Sequence, residues 1–300
     1  MQLVSGASQF QPFGSRASPY SLDGTTAAVH HGRVVAQESD RCLPDLLTVT
    51  AIALVAYAAS NVLHEAVGHG GACVILGGKP NVLSSVHFEC GEQASALARR
   101  GVAAGGTIVN FIAGAIALVA FRATNPVRKP HMSYFLWLFT TLNLLMGAGY
   151  FLFSGVGNIG DWVDVARGTV SPVIWRPAMA VFGGGLYFLI ARASGQWLGA
   201  LVGSDDLSMR RSRRLTIPAY IAGGLLFCVS GLFNPVGPIL IAISAAAASF
   251  GGASGLLWLT QFTRGGSTQP AELERRYGWV VAGCVAAVIF VGILGSGIHF

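Results

Sequence analysis

Two histidines and a glutamate lie within six residues at the end of an apolar run, in the segment His64-Glu65-Ala66-Val67-Gly68-His69. The preceding stretch, residues 46–63, carries no charged side chain. Ionisable side chains at membrane depth are costly, so those that occur there usually serve a function. Two histidines flanking a glutamate on one helix are typical of a hydrolytic zinc site, where imidazoles bind the metal and the glutamate handles the proton of a water molecule.

The two histidines are five residues apart, whereas the common zinc-protease motif spaces them four apart. Five α-helical steps leave the second side chain roughly 140° from the first, so a straight α-helix would not direct both at one ion. The sequence therefore predicts a π-bulge or a break between His64 and Gly70, with Gly68 as a suitable position and with the two imidazoles about 3–4 Å apart. Two alternatives stay open: Glu65 pairs with His69, four residues on, without a bulge, or the pair only holds helices together by a hydrogen bond.

A catalytic zinc site needs a third protein ligand, and Asp161 is the candidate. It follows an apolar helix, and three glycines precede it in the segment 154–160. Irregular backbone at a helix end allows a carboxylate to turn inward. Asp164 competes for the same role, and the alternative is an ordinary interfacial loop anchored by Trp162.

Three amides and two loop residues are further candidates. Asn110, Asn143 and Asn158 could contact a substrate backbone or an oxyanion, although hydrogen bonding between helices is the commoner role of a buried amide. His87 and Cys90 are candidate metal ligands as well. The favoured interpretation is that both are ordinary loop residues.

The composition is that of a multi-pass membrane protein. The chain has 300 residues, 53% hydrophobic and only 11% charged, against about 25% charged in a soluble domain. The net charge of +6 is interpreted as loop charge facing the cytosol, not as nucleic-acid binding. The expected partner is therefore the lipid bilayer, with no nucleic acid, and the composition leaves the oligomeric state open.

The predicted fold is all-α, a polytopic transmembrane bundle of about six or seven helices. Uncharged apolar runs place the helices at 45–77, 101–121, 132–155, 173–191, 215–233, 236–260 and 278–297. The predicted divisions are a disordered tail at 1–43, the core at 44–168 and accessory helices at 169–300.

The loop after the first helix alternates like a short strand or hairpin, from Asn81 to Cys90. The spacing of the five cysteines indicates no disulfide framework, and Cys73, Cys228 and Cys284 lie in apolar sequence as small core residues would. If the chain has seven membrane helices and a cytosolic amino terminus, 14 of its Lys and Arg residues lie on the cytosolic side of the membrane and five lie on the opposite side. This asymmetry predicts a cytosolic amino terminus.

The order of these features resembles the site-2 protease family of intramembrane zinc metalloproteases. The resemblance implies a three-helix metalloprotease-like core and a membrane-protein substrate. The likeness covers about residues 46–166 and rests on the His-Glu helix, on the segment 103–110 (Ala-Ala-Gly-Gly-Thr-Ile-Val-Asn) and on a third helix that ends in a Gly/Asn/Asp segment. The resemblance implies one role for each of four residues: zinc ligand for His64, His69 and Asp161, and general base for Glu65.

The sequence thus predicts zinc-assisted hydrolysis of peptide bonds in membrane-embedded substrates, with Zn²⁺ as the cofactor. The expected location is the plasma (inner) membrane of a bacterium. The alternatives are an ion- or proton-coupled transporter that uses Glu65, His69 and Asp161 as a relay, and a non-catalytic scaffold derived from the protease fold.

Overall fold

The structure, a computed structural model, describes residues 43–91, 95–234, 245–266 and 269–300. All of them belong to one compact unit, Leu43–Phe300. Within this part of the chain, six helical spans are long and apolar enough to cross a membrane, which confirms the predicted all-α membrane bundle.

The first span, Leu46–Ile75, changes helix type along its length. It consists of α1 (Leu46–Val62), a π-helix (Leu63–Gly70) and α2 (Gly71–Ile75). The carboxylate of Asp45 begins α1 by accepting a hydrogen bond of 2.9 Å from the backbone N–H of Thr48, which satisfies one of the free amide groups at a helix start.

Two long helices follow and pack against the first span. Helix α3 (Ala96–Ala123) begins at Ser95, whose hydroxyl accepts a hydrogen bond from the N–H of Ala98. Helix α4 (Pro130–Gly157) begins with a proline, which costs no hydrogen bond at that position. On α3, a stripe of apolar side chains at helical spacing is exposed, as expected of a lipid-facing surface: Ile108, Ile112, Ile116 and Val119.

The remaining helices complete the bundle around a buried aromatic and aliphatic core that includes Tyr57, Tyr134 and Trp137. They are α5 (Asp161–Ala166), α6 (Pro172–Val202), α7 (Ser208–Gly231), a second π-helix (Ala247–Gly251), α8 (Gly255–Trp258), a 3-10 helix (Leu259–Phe262), α9 (Tyr277–Ile289) and a third π-helix (Phe290–Leu294).

The two ends of the bundle contain different loops and different contacts between helices. The end where the first span finishes, here called the site end, contains the segments 76–91 and 158–171. There the guanidinium of Arg100, near the start of α3, donates a hydrogen bond of 3.0 Å to the carbonyl of Arg167. The opposite end, here called the far end, contains the loops 124–129 and 203–207. There Arg275 pairs with Asp45 at 3.0 Å, joining the last span to the first.

A small antiparallel sheet covers part of the site end. Strands β1 (Pro80–Leu83) and β2 (Phe88–Cys90) form the hairpin that the sequence predicts, and β3 (Ile298–His299) pairs with the other edge of β1. The third strand was not predicted from the sequence, because its pairing depends on how the last span returns to this end.

Several expectations from the sequence are contradicted by the structure or fall on residues outside the described part of the chain. The expectation of no disulfide is wrong, because Cys73, which is buried in the core as predicted, forms a disulfide with Cys90. The prediction of Cys284 as a core residue is also wrong, because Cys284 is exposed. The predicted helix at 236–260 falls partly on residues 235–244, outside the described residues, and its described portion is broken into short helices of three types. The predicted tail at 1–43 lies, except for its last residue, outside the described residues, and the divisions at 44–168 and 169–300 stay predictions.

Candidate metal centre

The π-helix brings the two histidines together. His64 and His69 both lie in Leu63–Gly70, where hydrogen bonds from residue i to i+5 make five residues close to one turn. Their Nε2 atoms are 3.1 Å apart, and both side chains are buried. This confirms the predicted π-helical distortion and the predicted approach of the two imidazoles.

Close approach of glycine backbones brings α3 against this segment. A Cβ on Gly68 would lie 2.5 Å from the Cα of Gly106, and a Cβ on Gly105 would contact the carbonyl of Gly68. A Cβ on Gly106 would lie 2.6 Å from the Nε2 atoms of both His64 and His69. The backbone of Gly106 therefore forms one wall of the space in front of the imidazoles, and that space exists because the residue has no side chain.

The segment before Asp161 turns its carboxylate toward the histidines. Asn158 ends α4 in the left-handed conformation with φ 55°, and Gly160 has φ 93°, a backbone that glycine adopts without strain. Helix α5 then starts at Asp161. The indole N–H of Trp162 donates a hydrogen bond of 3.1 Å to Thr107 on α3, which fixes the start of α5 beside the π-helix.

The three ligand atoms have the spacing of a metal site. Oδ2 of Asp161 lies 3.5 Å from Nε2 of His64 and 3.4 Å from Nε2 of His69. These separations exceed the usual 2.7–2.9 Å or so of a charge-assisted hydrogen bond. Tetrahedral zinc with bonds of about 2.0–2.1 Å sets its ligand atoms about 3.3–3.4 Å apart. The triad could therefore hold a metal ion, and the predicted approach of Asp161 to the imidazoles is confirmed.

The protonation states also suit metal binding. A carbonyl only accepts, so Nδ1 of His69 donates its proton to the Val102 carbonyl at 2.7 Å and leaves Nε2 free as a ligand. Burial disfavours a charged carboxylate, but the positive charge that His69 and His64 carry when they are protonated outweighs that effect and holds the pKa of Asp161 well below its usual range, so the carboxylate is ionised at neutral pH. Oδ2 of Asp161 is buried and has no hydrogen-bond partner among the described residues, as expected of an atom that serves a metal.

Tyr150 supports His64, whose Nδ1 has no hydrogen-bond partner in the described part of the chain. The Tyr150 ring lies parallel to the imidazole, with ring centroids 4.6 Å apart and planes 9° apart. A ligating histidine is usually oriented by a hydrogen bond from its second nitrogen, and here stacking takes that place. This contact was not predicted from the sequence, because it depends on the packing of α4 against the π-helix.

We expect Tyr150→Leu to weaken binding of Zn²⁺ by about 10–100-fold, the usual effect of removing a group that orients a metal ligand. Tyr150→Phe keeps the ring and is expected to bind Zn²⁺ within a few-fold of the unmodified chain. Competition against a chromogenic chelator measures both affinities. Equal affinities in the Leu and Phe variants would show that stacking does not orient His64.

Glu65 and two amides line the cavity that contains the triad, which has a volume of about 710 Å³. Glu65 is buried and follows His64 directly in the π-helix. Asn110 and Asn158 also line this cavity, and Oδ1 of Asn110 has no hydrogen-bond partner among the described residues. The Asn110 oxygen is thus available to a bound molecule, and the exposed Asn158 side chain lies at the same cavity.

The other candidates lie apart from the triad. Asp164 pairs with Arg167 at 2.9 Å and is more than half exposed, and Cys90 is in the disulfide. His87 lines the cavity but is not part of the triad. Asn143 is not among the cavity-lining residues, since it lies two turns before Tyr150 on α4, about 10 Å further from the site end. Its Nδ2 donates to the carbonyl of Phe139 in the same helix.

Comparison of the chain with protein-family models, with curated proteins and with solved structures found no match.

Proposed function

We propose that this chain is an intramembrane zinc metalloprotease that hydrolyses peptide bonds of membrane-embedded substrates. The observation that carries the proposal is the meeting of two imidazole nitrogens and one carboxylate oxygen at 3.1–3.5 Å from one another, beside a buried glutamate in one cavity. The resemblance of residues 46–166 to the site-2 protease family assigns the same residues, and it stays part of the proposal.

Zinc is the metal that suits this donor set best. Two imidazoles and one carboxylate are a common protein contribution to catalytic zinc, whose fourth position stays open. Calcium and magnesium prefer sites built from oxygen ligands. His64, His69 and Asp161 would hold the ion, and zinc held there would supply Lewis acidity that polarises a carbonyl and lowers the pKa of water.

Glu65, Asn110 and Asn158 have the remaining roles in the reaction. Glu65 accepts a proton from the attacking water as general base and then delivers it to the nitrogen of the leaving amine. Asn110 and Asn158 donate hydrogen bonds from their amides to the substrate backbone or to the developing oxyanion. Hydrolysis adds one water across the peptide bond and yields a carboxylate and an amine.

The cavity suits an unfolded stretch of a membrane segment. Its lining combines the polar triad with apolar side chains, among them Phe88, Met146 and Phe153. A peptide bond inside a helix is shielded by the helix itself, so the substrate must unwind locally to enter. Non-helical backbone at membrane depth is tolerated where it lines such a cavity. Location in the plasma (inner) membrane of a bacterium stays a prediction.

Metal analysis of the purified chain tests the proposal. We expect about one zinc per chain in the unmodified protein, as one closed triad implies, and loss of that zinc in His64→Ala. His131→Ala at the far end, where the imidazole Nε2 lies 2.8 Å from the Glu274 carbonyl, is the matched control and should keep the metal.

Equal zinc content in His64→Ala and in the unmodified chain would contradict the assigned site. Absence of stoichiometric zinc from the unmodified chain would contradict the metalloprotease proposal. In that case, dependence of activity on a proton gradient would favour a transporter in which Glu65, His69 and Asp161 carry protons.

A further inference from the structure

We propose that the metal centre faces the non-cytosolic side of the membrane and acts on segments presented from that side. The orientation follows from two independent features, a disulfide and the distribution of positive charge. Only the statement about substrates rests on the proposed function.

The disulfide lies at the site end. It joins Cys73, near the end of the first span, to Cys90 on β2. The metal ligand His69 is one helical turn before Cys73, so the disulfide and the metal centre share one end of the bundle. Disulfides persist in oxidising compartments and are rare in the cytosol, so this end lies outside the cytosol.

The positive charges give the same orientation. Among the described residues, eleven of the sixteen Lys and Arg side chains belong to the far end and five to the site end. Short loops that stay in the cytosol carry the excess of Lys and Arg, so the far end is cytosolic. The far-end residues are Arg122, Arg128, Lys129, Arg192, Arg210, Arg211, Arg213, Arg214, Arg264, Arg275 and Arg276.

The cavity opens at the same end as the disulfide. Its lining includes His87 from the loop before β2 and Asp164 and Arg167 after the start of α5, and the side chains of Asp164 and Arg167 are 55% and 75% exposed. Water and substrate therefore reach the triad from the site end. A proteolytic centre with this opening acts on bonds that lie near the non-cytosolic surface, and a cytosolic domain of a substrate cannot deliver a bond to it.

Labelling of two matched positions in the full chain tests the orientation. Val170 in the site-end loop and Val127 in the far-end loop are each 48% exposed. Each is replaced by cysteine in a background with Cys42→Ser, Cys228→Ser and Cys284→Ser, which keeps the disulfide. A membrane-impermeant maleimide is then added to intact cells and to permeabilised cells.

We expect Val170→Cys to react in intact cells and Val127→Cys to react only after permeabilisation. Reaction of Val127→Cys in intact cells, or failure of Val170→Cys to react until the cells are opened, overturns the proposal. The labelling of these two cysteines needs neither bound zinc nor turnover, so the same result is expected in a Glu65→Gln background. A wrong orientation is therefore distinguishable from a wrong proposal about the activity.

A second measurement tests the disulfide. Cells that express the full chain are quenched in acid, free thiols are blocked, and the protein is reduced and treated with a polyethylene glycol maleimide. We expect a gel shift that corresponds to two thiols and that disappears in Cys73→Ser. Free thiols at Cys73 and Cys90 before reduction would overturn the assignment of this end to an oxidising compartment.

Discussion

Glu65→Gln is expected to lower cleavage of a membrane-embedded substrate by at least about 10²-fold, the low end for loss of a general base, while zinc content and folding are unchanged. Glutamine keeps the size and polarity of the buried side chain but cannot accept the proton of the attacking water. The three metal ligands are untouched, so the effect falls on the chemical step.

Co-reconstitution with a single-span model substrate in liposomes measures this effect, with appearance of the new amino terminus as the readout and zinc measured in the same sample. Glu274→Gln is the matched control, because Glu274 is exposed at the far end and should leave turnover unchanged. Full turnover in Glu65→Gln with zinc bound would rule out the proposed mechanism. Turnover that falls only because zinc is lost would make Glu65 a structural residue.

Gly106→Ala is expected to abolish the metal site although Gly106 is no ligand. The added Cβ would lie 2.5 Å from Cε1 of His64 and 2.6 Å from Nε2 of His69, distances that unbonded atoms do not adopt. Both imidazoles must move away from the ligand position, because the backbone of α3 is held against Gly68. We expect affinity for Zn²⁺ to fall by more than about 100-fold, beyond the 10–100-fold typical of changes outside the ligands.

Gly185→Ala on α6 is the control for this substitution, since nothing lies within 4 Å of the added Cβ, and it should bind Zn²⁺ like the unmodified chain. Thermal unfolding in detergent separates loss of metal from loss of fold. A Gly106→Ala protein that binds Zn²⁺ with unchanged affinity would show that the two imidazoles do not share one ion at this position.

The sequence by itself determined the class of fold and the chemical character of the site. Uncharged runs of membrane length define the spans whatever their partners, because every backbone polar group in lipid must be satisfied within a helix. The five-residue spacing of His64 and His69 also predicted a distorted helix for the case in which both bind one ion, since only such a helix places both on one face. The glycines before Asp161 indicated a turn that could redirect its carboxylate.

The tertiary structure decided everything that depends on contacts between elements distant in sequence. The stacking of Tyr150 on His64, the wall formed by Gly106 and the bond from Trp162 to Thr107 each need two helices in register, and residue spacing within one helix carries no information about that register. The disulfide between Cys73 and Cys90 was missed for the same reason: apolar sequence around Cys73 looks like ordinary core, and only the return of the β-hairpin to the helix end brings the second thiol to it.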